Sequence, residues 1–234
     1  MIAPLKHLNM ITVGAVCAVL TTVAFVAGIA LMASSGVQVL IPGTGEDAIE
    51  WIVDVDDANG AFYAGAWLVI LGGMLGLVAL VGFYYALREA GEIMILAPIL
   101  AAVGLTLVTI SHLMPIAMAY ELVPEYVDAD AATRASLGVT TDTLAATSLV
   151  LNYVGDILAW GVVVPLYAFA ILKTAVVSKW IGWLGILVAV FAGWLYLLSP
   201  ASSVIEGISF VGFVGFFIFM LAMGIALLRG QGAR

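Results

Sequence analysis

Charge is what this chain has least of. Its 234 residues include seven Lys plus Arg and fifteen Asp plus Glu, so only 9% of positions are charged. A soluble domain carries about 25%. Seven basic residues with no basic run argue against a nucleic-acid surface. There is one cysteine, Cys17. It excludes an intrachain disulfide and every Cys-based metal motif, and inside an apolar run it reads as a small hydrophobe. The two histidines are His7 and His112. They fall at opposite ends of the expected topology, which argues against a bis-His haem, and no C-x-x-C-H is present. No lysine lies within an apolar run to form a Schiff base. The P-loop, the nucleophile elbow, HExxH and the dinucleotide fingerprint are all missing. No cofactor is expected.

What the chain has is hydrophobic residues, 65% of the total, and a mean hydropathy of +1.22. A spanning helix needs about 20 apolar residues, and six runs qualify: 10–33, 61–87, 93–120, 143–172, 180–198 and 204–228. The expected fold is an all-α bundle of six transmembrane helices forming one membrane domain over 1–234. The first run is longer than the h-region of a cleaved signal, about 7–15 residues, so it reads as a helix. Two long acidic connections are expected at 34–60 and 121–142. Within the first, Ile49, Trp51, Ile52 and Val53 suggest a short interfacial helix with Trp51 as anchor. Its DVDDANG stretch fails as an EF-hand, because Ala58, Asn59 and Gly65 stand at positions that need a ligand, a turn Gly and a Glu. Asp142 reads as the N-cap of the fourth helix, and Ser203 with Glu206 as a capping box for the sixth.

Orientation follows from Lys and Arg. With both termini cytoplasmic, Lys6, Arg88, Lys173, Lys179, Arg229 and Arg234 face the cytoplasm, and Arg134 alone lies outside. The expected location is the cytoplasmic (inner) membrane, with the acidic connections on the outer side. Close packing is expected at Gly72-x-x-x-Gly76 and along Gly185, Ala189 and Gly193. AGAWLVILGG in the second run and WIGWLGILVA in the fifth hint at an inverted three-plus-three repeat, although the connection lengths of the two halves disagree.

The run Lys179-Trp180-Ile181-Gly182-Trp183-Leu184-Gly185 enters the fifth helix from a basic turn. Together with six spans, a long first outer connection and the ending Leu227-Leu228-Arg229, it resembles a bacterial integral membrane family known as domain of unknown function 4386. The resemblance covers nearly the whole chain. It implies the six-helix fold and brings no activity and no site residues.

The candidate site is built on Asp156. A carboxylate in hydrocarbon costs at least about 2.5–3.5 kcal/mol on insertion scales, so it must face protein or water. Ser148, Asn152 and Asp156 are spaced i, i+4, i+8 and share one helix face. Thr106, Thr109 and His112 form a second stripe on the third run. His112 and Asp156 suggest a proton relay or ligand site, against the plainer reading of a buried, satisfied structural cluster. With one His and one Asp left once the capping acids are set aside, no metal centre is expected. Trp67, Tyr153 and Trp160 are candidates for an aromatic pocket, against the plainer reading that Trp and Tyr collect at membrane interfaces.

Three functions fit. The first is a non-enzymatic accessory or self-associating subunit of a membrane assembly, whose partners are the lipid bilayer and either other membrane subunits or further copies of the chain. The second is a small transporter or channel using Asp156 and His112. The third is a lipid- or quinone-binding membrane enzyme.

Overall fold

A computed structural model describes residues 9–37, 39–58 and 60–231. Lys6, His7, Asn59 and Arg234 lie outside the described residues, and so does the side chain of Glu206. The regular structure among the described residues is helical. In chain order the helices are α1 Met10–Ser34, α2 Glu46–Asp57, α3 Gly60–Leu87, α4 Leu96–Asp128, α5 Ala131–Asp156, α6 Val164–Thr174, α7 Lys179–Val188 and α8 Ser203–Gln231. A wide π turn, Ile157–Val163, joins α5 to α6. A second one, Ala189–Trp194, extends α7 and passes into a tight 3-10 stretch, Leu195–Ala201. Among the described residues, six helical rods are long and apolar enough to cross a membrane: Met10–Ser34, Gly60–Ala90, Glu92–Asp128, Ala131–Thr174, Lys179–Ser199 and Ser203–Gly230. The protein is therefore an all-helical, multi-pass membrane protein by length and composition.

The segment 121–142, expected as a loop, is a correction. It is helical except for a two-residue break between α4 and α5. Polarity there marks helix rather than coil, because the helix ends on both sides of the break are satisfied locally. The Asp130 carboxylate accepts the Thr133 backbone N–H at 2.8 Å, so Asp130 is the N-cap of α5. Arg134 donates from Nε to the Tyr126 carbonyl at 3.1 Å and from Nη2 to the Val127 carbonyl at 2.6 Å. Those carbonyls belong to the last turn of α4, which has no helical partner for them. Asp142 is accordingly not an N-cap. It sits within α5 and accepts the Gly45 backbone N–H at 2.6 Å, just ahead of α2.

The first acidic connection carries α2, whose pattern is amphipathic. Ala48, Trp51, Ile52 and Val55 are buried, while Glu46, Asp47, Glu50 and Asp54 face solvent. Trp51 is not an exposed interfacial anchor. It is 4% exposed, and its indole N–H donates to the Val39 carbonyl at 3.1 Å.

Two compact units divide the chain. The first comprises Met1–Thr22, Met74–Leu105 and Asp156–Arg234, and the second comprises Val23–Gly73 and Thr106–Gly155. In the first unit, Phe83 meets Tyr167 and Phe219 edge-on at 6.0 and 6.4 Å. The buried Tyr167 hydroxyl donates to the Leu80 carbonyl at 2.6 Å, as a buried phenol requires. α1 and α3 touch through Gly14 and Gly82, where a Cβ on either residue would lie 2.5 Å from the Cα of the other. In the second unit the same two helices touch through Gly28 and Gly65, where a Cβ on Gly65 would lie 2.5 Å from the Gly28 carbonyl oxygen. Such backbone-to-backbone approach is how small residues pack helices where the hydrophobic effect offers no drive between them. Gly72 belongs to this second unit, facing the Phe25 ring.

Candidate functional site

The buried polar residues singled out by the sequence fall in two places, one in each unit. In the second unit, α4 and α5 meet through hydroxyls and an amide. Ser148 is fully buried, and its hydroxyl donates to the Ser111 carbonyl at 2.5 Å. The Ser111 hydroxyl, also fully buried, donates to the Val108 carbonyl at 2.7 Å and reaches the Asn152 Oδ1 at 3.3 Å. A hydroxyl has one proton, so the shorter contact takes most of it and the longer one is secondary. Asn152 is 8% exposed. Three short polar side chains thus tie two apolar helices together in a setting where unpaired groups cost several kcal/mol.

Ser111 was missed in the sequence, where its neighbour His112 drew attention. The signal was present: Val108, Ser111 and Pro115 recur at helical spacing, and all three are buried. His112 is only partly covered, Thr109 likewise, and Thr106 is exposed. Thr109 stands near α3, its Oγ1 3.7 Å from where a Cβ on Gly73 would be. His112 belongs to the second unit and Asp156 to the first.

In the first unit, Asp156 is 8% exposed and closes α5. Its Oδ1 accepts the Trp160 indole N–H at 2.5 Å. Trp160 is itself 3% exposed, edge-on to Phe216 at 3.8 Å and to Phe213 at 5.7 Å. Of the other aromatic candidates, Trp67 is 47% exposed, with its indole N–H 3.5 Å from the Tyr120 hydroxyl, and Tyr153 is partly covered. Both belong to the second unit, whereas Trp160 belongs to the first.

Asp156 leads directly into the π turn, and Pro165 follows two residues after the turn ends. Pro165 has no N–H to give to the carbonyl four residues back, and its ring crowds that carbonyl. The carbonyl belongs to Gly161. The helix is widened over Ile157–Val163, and the Gly161 oxygen is taken by a neighbour. The Trp194 indole N–H donates to it at 3.1 Å from the second π turn. Close approach makes this reachable: Gly193 lies so near Gly161 that a Cβ on it would overlap the Gly161 backbone. Neither π turn was anticipated, since no sequence period announces one. Pro165 four residues after a glycine, with a Gly-Trp pair in the next span, was the available hint.

Among the described residues no group of three or more His, Cys, Asp or Glu is placed to hold a metal ion. Among the described residues the buried polar groups are hydroxyls, one amide and one acid. Neither a family model, nor a curated protein, nor a solved structure matches this chain.

Proposed function

We propose that this is a non-enzymatic membrane protein that works by association, as an accessory or self-associating subunit of an inner-membrane assembly. The observation that carries this reading is the Ser148–Ser111–Asn152 cluster. Its donors and acceptors are directed at one another and at backbone, as in a packing clamp. Glycine contacts between helices within each unit support it, since closely packed helices suit a scaffold. The distribution of Lys and Arg supports six spans with both termini cytoplasmic, and the family resemblance fits the same architecture. Extraction in mild detergent or native nanodiscs tests it. A particle that is a uniform multiple of the 24.4 kDa chain, or that carries a second chain in fixed ratio, is expected. A lone monomer at native expression level overturns it.

A second reading, a small transporter or channel, is favoured by one observation. A buried acid stands at the mouth of a π turn, and both features concentrate at functional sites in membranes and helices. Asp156→Asn separates the two readings. Loss of a proton- or solute-linked flux with folded yield intact supports transport; unchanged flux in liposomes leaves the scaffold.

A further inference from the structure

The second unit carries a wide-open surface cavity of about 520 Å³ beside the α4–α5 break, with Ile49, Tyr126, Arg134, Ala135, Val139 and Asp142 in its wall, several of them exposed. That volume lies within the range of small-molecule sites, about 300–1,000 Å³. Its wall is mostly apolar, with one cation and one carboxylate, and both charged groups are fixed in place. Arg134 is held by the Tyr126 and Val127 carbonyls, with its guanidinium 5.8 Å from the Tyr126 ring centre. Two bonds occupy two of its five N–H donors, leaving three. Asp142 is held through one oxygen by the Gly45 N–H, leaving the other oxygen to accept. The two residues are eight positions apart on α5 and both line the cavity, so one small ligand carrying both charges can meet them together.

α4 has 33 residues, a rise of about 50 Å, against a hydrocarbon core of about 30 Å. Tyr126 lies thirty residues beyond its start and the first turns of α5 are exposed on every side, which puts the Arg134 end outside the hydrocarbon, within reach of headgroups and of water.

We propose that this cavity binds a small zwitterion, with a carboxylate or phosphate at Arg134, an ammonium at Asp142 and an apolar spacer along Ile49 and Val139. A dipeptide carries both charges on a short spacer, and the ethanolamine phosphate of a lipid headgroup carries the same chemistry. The proposal goes beyond the scaffold reading and does not depend on it.

Calorimetric titration of the full chain in phosphatidylglycerol nanodiscs tests it, with alanyl-alanine and phosphoethanolamine as probes. At least one binds, and N-acetylation or C-amidation of the dipeptide weakens it about tenfold or more, the equivalent of one charged contact. Asp142→Asn keeps an oxygen for Gly45; it weakens the zwitterion about tenfold and leaves the N-acetylated peptide unchanged. Ala135→Trp fills the cavity and removes binding while the melting temperature holds. Repeating the titration in phosphatidylethanolamine nanodiscs separates the sources: probe binding lost there assigns the site to the headgroup, and binding retained assigns it to a solute. Neither probe binding at millimolar concentration, blocked peptides binding equally, or binding that survives Ala135→Trp overturns the proposal.

Discussion

In the α4–α5 pair, regular helices approach with serine and asparagine side chains filling the gap and bonding across it. In the rod that runs through α5 and α6, and in the rod of α7, the helices themselves deform. Both open into π turns, and glycine lets their backbones meet. Both places answer a backbone carbonyl that lies four residues before a proline: Ser111 before Pro115 inside α4, and Gly161 before Pro165. In the first pair the Ser148 hydroxyl reaches across to the Ser111 carbonyl and α4 stays a regular helix. In the second, an approach as close as Gly161 to Gly193 brings the Trp194 N–H within reach of the Gly161 carbonyl, and π turns accompany it. The same missing donor is thus met by a side chain between regular helices in one place and between deformed helices in the other.

The largest effect is expected at the glycine contact. Gly193→Leu puts a side chain into the Gly161 backbone, and strain of at least about 3 kcal/mol appears as lost folded yield in detergent. Gly73→Ala is the control, since its Cβ finds only the Thr109 Oγ1 at 3.7 Å, and it leaves the yield unchanged. Next comes Trp194→Phe, which strands the Gly161 carbonyl at a cost of about 1–3 kcal/mol. Pro165→Ala restores a backbone donor, so the double variant recovers most of the loss. A double-mutant cycle with no coupling would break the link drawn between Pro165 and Trp194.

Ser148→Ala removes one bond of the α4–α5 clamp. Interhelical hydrogen bonds in membranes average about 0.6 kcal/mol and reach about 1.7, so a drop of this order in unfolding free energy is expected in the same assay. The smallest effect belongs to Asp130. The Thr133 backbone N–H, then the Thr133 side chain, hold its carboxyl below the ordinary carboxylate range. A depressed folded value means that the cap is intact above the ordinary carboxylate pKa and is lost as pH falls through the folded value. Thr133 amide exchange therefore speeds up on strong acidification, and Asp130→Asn removes that pH dependence.

Much of the fold was legible. Long apolar runs cannot be anything but spans, because a backbone in hydrocarbon must satisfy itself, and the six runs correspond to the six rods. The polar stripe of Ser148 and Asn152 was legible through its four-residue spacing. The helicity of 121–142 was not, because it depends on Asp130 and Arg134 closing the α4–α5 break with local bonds, and a hydropathy reading treats polar residues as loop. Asp142 was given a local role that its real partner, Gly45, lies 97 positions away to contradict.

By itself the sequence determined the class of protein, the number of spans and some of the positions where polarity is buried, Ser148, Asn152 and Asp156 among them. Those follow from transfer free energies, which depend on composition and local spacing alone. Tertiary structure decided which polar groups answer each other. Ser111 rather than His112 meets Ser148, Trp194 meets Gly161, and Asp142 meets Gly45. Each pairing depends on how close two helices can come, which small residues at a crossing fix and a linear pattern does not encode.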